Sequence, residues 1–145
     1  MRSTRVAVVA VVAFFVMARP AWAEMFSKAY AFKPNTVLQV GATLEAGLRL
    51  DTIEFVVTSD DGSPSGAFAG AKVRIAISNV GDKSVKVGIS LAVTDDTNRL
   101  VGVASGGTKL VPLRADRQMP YVLDVDGANS ELPKGTAFRI SIESK

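Results

Sequence analysis

The sequence predicts an all-β fold, a single antiparallel β-sandwich of seven or eight strands behind a cleaved N-terminal signal peptide. Three observations support this prediction. Apolar and polar residues alternate with a period of two along most of the chain after residue 36, as in strands that bury one face. Turn-forming residues separate these runs at short intervals. No segment of useful length in that region shows helical periodicity.

The first 23 residues have the three parts of a secretory signal peptide. Arg2 and Arg5 precede thirteen consecutive apolar residues, 6–18, and Ala21-Trp22-Ala23 places small residues before Glu24. As a helix, the apolar run would extend ~20 Å, which is short of the ~30 Å hydrocarbon core of a membrane. We therefore expect cleavage after Ala23 and a periplasmic or secreted protein that does not span the membrane, with an uncleaved anchor as the alternative.

Composition narrows the possible functions. The 145 residues include 17 Lys and Arg, 14 Asp and Glu, no His and no Cys, for a formal charge of +3. Three of the basic residues and none of the acidic ones lie in residues 1–23, so the remaining chain is formally neutral. The composition gives no electrostatic reason to expect nucleic-acid binding. The missing His and Cys exclude disulfides, Cys/His zinc sites and catalysis by histidine or cysteine.

Residues 24–47 are predicted to form an N-terminal arm. Phe26 and Tyr30 are four residues apart, which allows a short helix ending before Pro34. The alternative for residues 24–35 is a loose arm, and an eighth strand is possible within 36–44.

Residues 48–145 are predicted to form the sandwich domain itself. A change of phase between Leu50 and Ile53 predicts a β-bulge in its first strand. The seven predicted strands lie near 48–57, 72–78, 85–94, 99–104, 108–113, 119–126 and 136–143. At this size the immunoglobulin-like sandwich is the leading candidate, and a partly open barrel is the second.

The stretch 73–102 resembles the bacterial immunoglobulin-like domains of the FxLYD and CARDB type, and the order of elements continues to the C-terminus. In these domains one strand ends in Asn-x-Gly, here Asn79 and Gly81, and a long alternating strand ends in Asp, here Asp95. The aromatic residues typical of the first family are absent, because Leu91-Ala92-Val93-Thr94 occupy that region. The resemblance implies an extracytoplasmic adaptor or interaction module and brings no catalytic residues.

Two groups of acidic residues are candidates for chemistry. Asp124 and Asp126 are two apart on one predicted strand, so both carboxylates would lie on one face, as in a glycosidase or a cation site. A solvent-exposed pair opposite Arg139 is the favoured interpretation. Asp95, Asp96 and Asn98 offer several oxygens to Ca²⁺, but the EF-hand spacing is absent, which favours a turn. Asp60-Asp61-Gly62 has the same interpretation.

Small residues form the remaining candidates. Gly106-Gly107-Thr108-Lys109 lacks the complete phosphate-loop pattern and is predicted to be a hairpin turn. In the long connection 58–71, Phe68 is expected to close one end of the core, with an exposed contact residue as the alternative.

The predicted strand 85–94 has an unusual outward face. Its members are small and carry a single charge: Ser84, Lys86, Gly88, Ser90, Ala92 and Thr94. Such a face could accept another chain or layer closely, although a plain solvent face is the favoured interpretation.

We therefore expect an exported, non-catalytic interaction or adaptor module without cofactor or metal, whose partner is another exported protein. The first alternative is a structural subunit of a periplasmic or surface assembly held by β-strand addition through residues 24–47. The second is a small carboxylate-dependent hydrolase.

Overall fold

The computed structural model describes residues 24–59, 68–127 and 131–145. The predicted signal peptide and the turn Asp60-Asp61-Gly62 lie outside these ranges. Eight strands run in chain order: β1 (Glu24–Ala31), β2 (Val37–Thr43), β3 (Leu48–Ser59), β4 (Phe68–Asn79), β5 (Val87–Thr94), β6 (Leu100–Gly107), β7 (Arg117–Asp124) and β8 (Ala137–Ser144). Two 3₁₀ turns complete the described elements, at Glu45–Gly47 and Leu132–Lys134.

The strands form two antiparallel sheets of four. The front sheet has the order β1-β8-β5-β6, and the back sheet has the order β2-β3-β4-β7. β4 pairs with β7 in the back sheet, and the strands that follow them, β5 and β8, pair in the front sheet. The all-β class and the two-layer arrangement are therefore confirmed.

The core lies between the two sheets and follows the predicted alternation. The inward residues of β5 are buried, and they face equally buried residues of β3 and β4 across the sandwich. Three phenylalanines link the layers: Phe55 on β3 contacts Phe32 and Phe138 at ring-centroid distances of 4.8 and 4.9 Å. The predicted bulge in the first long strand is confirmed by a register shift between Leu50 and Thr52.

The predicted strand at 108–113 is wrong, and so is the hairpin turn at Gly106-Gly107. Both glycines continue β6 and pair with β5, and the chain then forms a loop as far as β7. Only Leu113 is buried there, joined to Val85 by an isolated bridge. Leu110 is 94% exposed, and Pro112 has no backbone N–H to donate, so this segment has neither the burial nor the pairing of a strand.

Residues 24–47 contribute one strand to each sheet. β1 pairs with β8 along all eight of its residues, so the segment 24–31 is a strand and not a helix. β2 occupies the extra strand expected within 36–44 and pairs with β3. Phe32 is buried where the chain crosses between the sheets, so this segment is part of the sandwich.

Within the described ranges, no helix is long and apolar enough to cross a membrane.

Candidate functional site

The candidate residues around Asp95 form a turn between β5 and β6. The carboxylate of Asp95 accepts hydrogen bonds from the Thr97 hydroxyl at 2.7 Å and from the backbone N–H groups of Thr97 and Arg99 at 3.0 and 2.9 Å. Its second oxygen accepts a bond from Arg99 Nε at 3.1 Å. These bonds, led by the Thr97 hydroxyl and the Arg99 N–H, lower the pKa of Asp95 to about 2. Local donors bond both oxygens, and the turn predicted for these residues is confirmed.

The two carboxylates of the predicted strand 119–126 separate in the structure. Asp124 ends β7, and its Oδ1 lies 3.5 Å from Lys72 Nζ on the neighbouring β4. Asp126 lies beyond the strand, and its backbone forms an isolated bridge with Val103 of the front sheet. The cross-strand ion pair is therefore present, but its basic partner is Lys72. The expected partner Arg139 was wrong because it belongs to the other sheet.

The candidate segment Gly106-Gly107-Thr108-Lys109 continues the pairing of β6 with β5. The hydroxyl of Thr108 accepts a hydrogen bond from the Val87 N–H at 2.9 Å, and the Thr108 N–H donates to the Val87 carbonyl at 2.8 Å. A Cβ on Gly107 would overlap the backbone carbonyl oxygen of Val87, and its φ is positive at 142°, so this position requires glycine. Phe68 begins β4, and its side chain lies outside the described part of the structure, so its expected role in closing the core stays a prediction.

Within residues 24–59, 68–127 and 131–145, no group of three or more acidic side chains is placed to hold a metal ion.

The outer face of the back sheet is charged. Arg74 on β4 lies 3.7 Å from Glu54 on β3, and the Lys72–Asp124 pair lies one row away. Each of these pairs joins neighbouring strands, which is the usual arrangement on a solvent-exposed sheet.

Asp51 anchors the opposite end of that charged face. It accepts hydrogen bonds from the Ser78 hydroxyl on β4, from Gln118 on β7 at 2.9 Å and from Arg49 on its own strand. Burial opposes ionisation of this carboxyl, but the bonds from Ser78, Gln118 and Arg49 outweigh it and lower the pKa of Asp51. One carboxylate thus bonds residues of three strands of the back sheet.

By comparison, the outer face of the front sheet carries mostly small side chains. A row of four serines, one from each strand, crosses its centre: Ser27, Ser141, Ser90 and Ser105. The Ser141 hydroxyl lies 3.1 Å from that of Ser27. Because cross-strand neighbours on one face lie ~5 Å apart, the row forms a nearly level strip of hydroxyl groups.

Two further rows flank the serines. The row towards the chain termini contains Met25, Glu143, Gly88 and Gly107. The row on the other side contains Ala29, Arg139, Ala92 and Val103. Arg139 and Glu143 are the charged residues of these rows, and neither joins an ion pair within the described ranges. This three-row surface is called the smooth face below.

The side of the sandwich between β1 and β2 is open. One cleft of about 280 Å³ is lined by Phe26 of β1, Leu44 beyond β2 and Leu48 of β3. A second cleft of about 200 Å³ lies further along the same side, between Tyr30 of β1 and Leu38 of β2. Among the described strands, β1 and β2 lie at the edges of their sheets, so this side combines two sheet edges with apolar pockets.

The sequence indicated the small outward residues of one strand of the smooth face but not those of the other three. The small outward residues of β5 were visible in the alternation of 85–94. The serines of β1, β6 and β8 are visible singly, but their alignment depends on cross-strand register, which a single sequence does not contain.

No family model matches this chain, and the search of curated proteins found no significant match.

Proposed function

We propose that this protein is an exported, non-catalytic interaction module of immunoglobulin-like architecture that binds a protein through the smooth face. The observation behind the proposal is the contrast between the two outer faces. The back sheet has the cross-strand ion pairs of a solvent-exposed surface, whereas the smooth face has mostly small residues and two charges without an ion pair. Lys86 and Lys145 lie one row beyond the smooth face on the same sheet. Small side chains let a second backbone approach closely, so a protein layer is the occupant such a surface fits.

The immunoglobulin-like assignment is supported by the interlocked pairing. β4 and β7 pair in one sheet while their successors β5 and β8 pair in the other, as consecutive strands do in Greek-key sandwiches. The position of β1 beside β8 is compatible with this arrangement, because it adds an edge strand to the front sheet.

A photo-crosslinking residue placed on each face in turn tests the proposed surface. Ser105 represents the smooth face, and Val122 represents the back sheet; both are exposed. In the exported fraction of cells that carry the full chain, we expect crosslinked protein with the probe at Ser105 and little with the probe at Val122.

A bulky substitution supplies the matched control. Ser90→Arg at the centre of the smooth face should abolish the Ser105 crosslink, whereas Ala76→Arg on the outer face of β4 should leave it unchanged. Equal crosslinking from both faces, or a Ser105 crosslink insensitive to Ser90→Arg, would contradict the proposal.

Export rests on the sequence of residues 1–23 and has its own test. N-terminal analysis of the protein recovered outside the cytoplasm should give a chain that begins at Glu24. A full-length chain retained in the cytoplasm would contradict the export proposal without bearing on the smooth face.

A structural subunit joined by strand addition is the second candidate, and the open β1–β2 side favours it. The free edge of β2 could accept a further strand. Lysines at the exposed positions Val37 and Gln39 should block such addition by placing charge at the edge. If strand addition holds an assembly together, the Val37→Lys/Gln39→Lys protein will fold but remain small in light scattering; unchanged assembly would exclude this edge.

A further inference from the structure

The smooth face has a charge pattern that fits a second copy of itself. Arg139 and Glu143 lie on β8, two residues to either side of Ser141. Their side chains are exposed and point away from the core. A twofold axis through Ser141 would place the positive charge of each copy opposite the negative charge of the other. Two opposite charges at equal distances from the axis therefore form two ion pairs in a symmetric dimer.

We propose that two copies of this chain associate through their smooth faces about a twofold axis that runs along the serine row. The inference rests on the proposed function, since it names the partner of the same surface. Rotation by 180° about this axis keeps each strand over its counterpart and exchanges the two flanking rows. Arg139 then faces Glu143 of the second copy, and Glu143 faces the second copy's Arg139.

The same rotation also matches side-chain sizes. Met25, which is 66% exposed, comes opposite Ala29 of the second copy. Val103, which is 39% exposed, comes opposite Gly107. Large residues thus meet small ones along both outer strands, while serines meet serines along the axis. Two packed sheets usually cross at about 30°. Arg139 and Glu143 lie near the centre of the face, so this rotation moves them by less than the length of their side chains.

The area of the face sets the expected strength of the dimer. The three rows of the smooth face span four strands about 4.8 Å apart and about six residues of about 3.3 Å each, which gives a face of roughly 400 Å². Two such faces bury roughly 800 Å², which is in the range of weak, transient contacts. We therefore expect a dimer that dissociates on dilution.

Charge reversal distinguishes this axis from other contacts. Arg139→Glu places four carboxylates in the interface, and Glu143→Arg places four guanidinium groups there, so each variant alone should dimerise at least about tenfold more weakly than the wild type. An equimolar mixture of the two variants should form a heterodimer, because each Glu then faces an Arg. The double variant Arg139→Glu/Glu143→Arg should recover the homodimer.

Sedimentation velocity of the protein from the exported fraction, over a wide concentration range, measures these equilibria. Lys72→Glu on the outer face of the back sheet is the charge-matched control and should dimerise like the wild type. Circular dichroism melting confirms that each exposed variant remains folded. Ser90→Arg blocks the axis sterically and should give a monomer regardless of charge.

Recovery of association in the mixture and in the double variant supports the proposed axis. Single variants that dimerise normally, or a mixture that stays monomeric, would overturn it. A wild type that is monomeric at every concentration overturns the homodimer, and the Ser105 crosslink then separates the two proposals. A Ser105 crosslink to a different protein would support the proposed function without the homodimer. The absence of any Ser105 crosslink would contradict both the proposed function and the homodimer.

Discussion

Asn79 is the residue that holds one end of the sandwich together. Its buried side chain donates hydrogen bonds to the carbonyl groups of Lys83 and Leu113 at 2.7 and 3.0 Å, and its Oδ1 accepts one from the Gly81 N–H at 3.0 Å. A single amide thus joins the β4–β5 loop to the β6–β7 loop. The Asn-x-Gly pattern in the sequence marked a strand end, and the structure adds this second loop as a partner.

Asn79→Ala should lower the free energy of unfolding by about 2 kcal/mol, because it removes three hydrogen bonds between a buried amide and the backbone of two loops. Urea denaturation followed by circular dichroism measures the loss. Ser84→Ala, in the same loop but exposed, should change stability little. Equal stability of the two variants would show that water replaces the amide.

Asp95 gives stability a defined dependence on pH. Its pKa in the folded protein is about 2, below the ordinary value of 3.8, so the carboxylate is favoured in the native state. This stabilisation is fully present above about pH 4 and is lost as pH falls through the folded-state pKa of about 2.

Asp95→Asn should therefore be less stable than the wild type at pH 7, and the gap should narrow as the pH falls from about 4 towards 2. Urea midpoints of both proteins across this range check the prediction. Asp51, whose pKa is also lowered, is present in both proteins and cancels in the difference. Glu131 bonds the same Arg99 as Asp95, so both proteins should carry Glu131→Gln to remove its titration from the difference. A constant gap would mean that Asp95 acts through shape and not charge.

At the scale of elements, the crossing between β1 and β2 closes the core. Phe32 enters the sandwich from this crossing and packs edge-on against Phe55 of the back sheet. Phe55 also contacts Phe138 of the front sheet, on which Tyr30 of β1 stacks at 5.5 Å. Residues 24–35 therefore cannot be removed without opening the core, which makes point variants better probes of β1 than a deletion.

Phe55→Ala should cost about 3 to 5 kcal/mol, since it removes the ring that both sheets share and leaves a cavity. Thermal unfolding by circular dichroism gives the change. Val122→Ala, on the exposed outer face of β7, is the matched truncation and should cost little. If Phe55→Ala lowers stability as little as Val122→Ala does, the two layers must close around the missing ring.

At the scale of the whole molecule, the two sheets share one core, so neither sheet is stable without the other. We expect a single cooperative transition. The two tyrosines outside the first 23 residues report on different sheets, Tyr30 on the front and Tyr121 on the back. Near-ultraviolet dichroism of the wild type, Tyr30→Phe and Tyr121→Phe should therefore give transitions that coincide with the far-ultraviolet signal. Separate midpoints would indicate that one sheet unfolds before the other.

The sequence by itself determined most of the strands and their buried faces, but not β1, which was predicted to be an arm or a short helix. Alternation identified the inward residues of β3, β4, β5 and β8, because a strand places every second side chain on one face. The strand predicted at 108–113 was wrong. Leu110 and Val111 are adjacent apolar residues and Pro112 lacks a backbone N–H, and the segment is a loop in which Leu110 is exposed.

Only the tertiary structure decided which strands are neighbours and in what register. Ser27 and Ser141 are 114 residues apart in the chain, yet they bond across β1 and β8. No local preference encodes such a pair, because pairing depends on how the two sheets together enclose the core. The smooth face, with Arg139 and Glu143 on either side of the serine row, follows from that register, whereas the sequence supplied its residues one strand at a time.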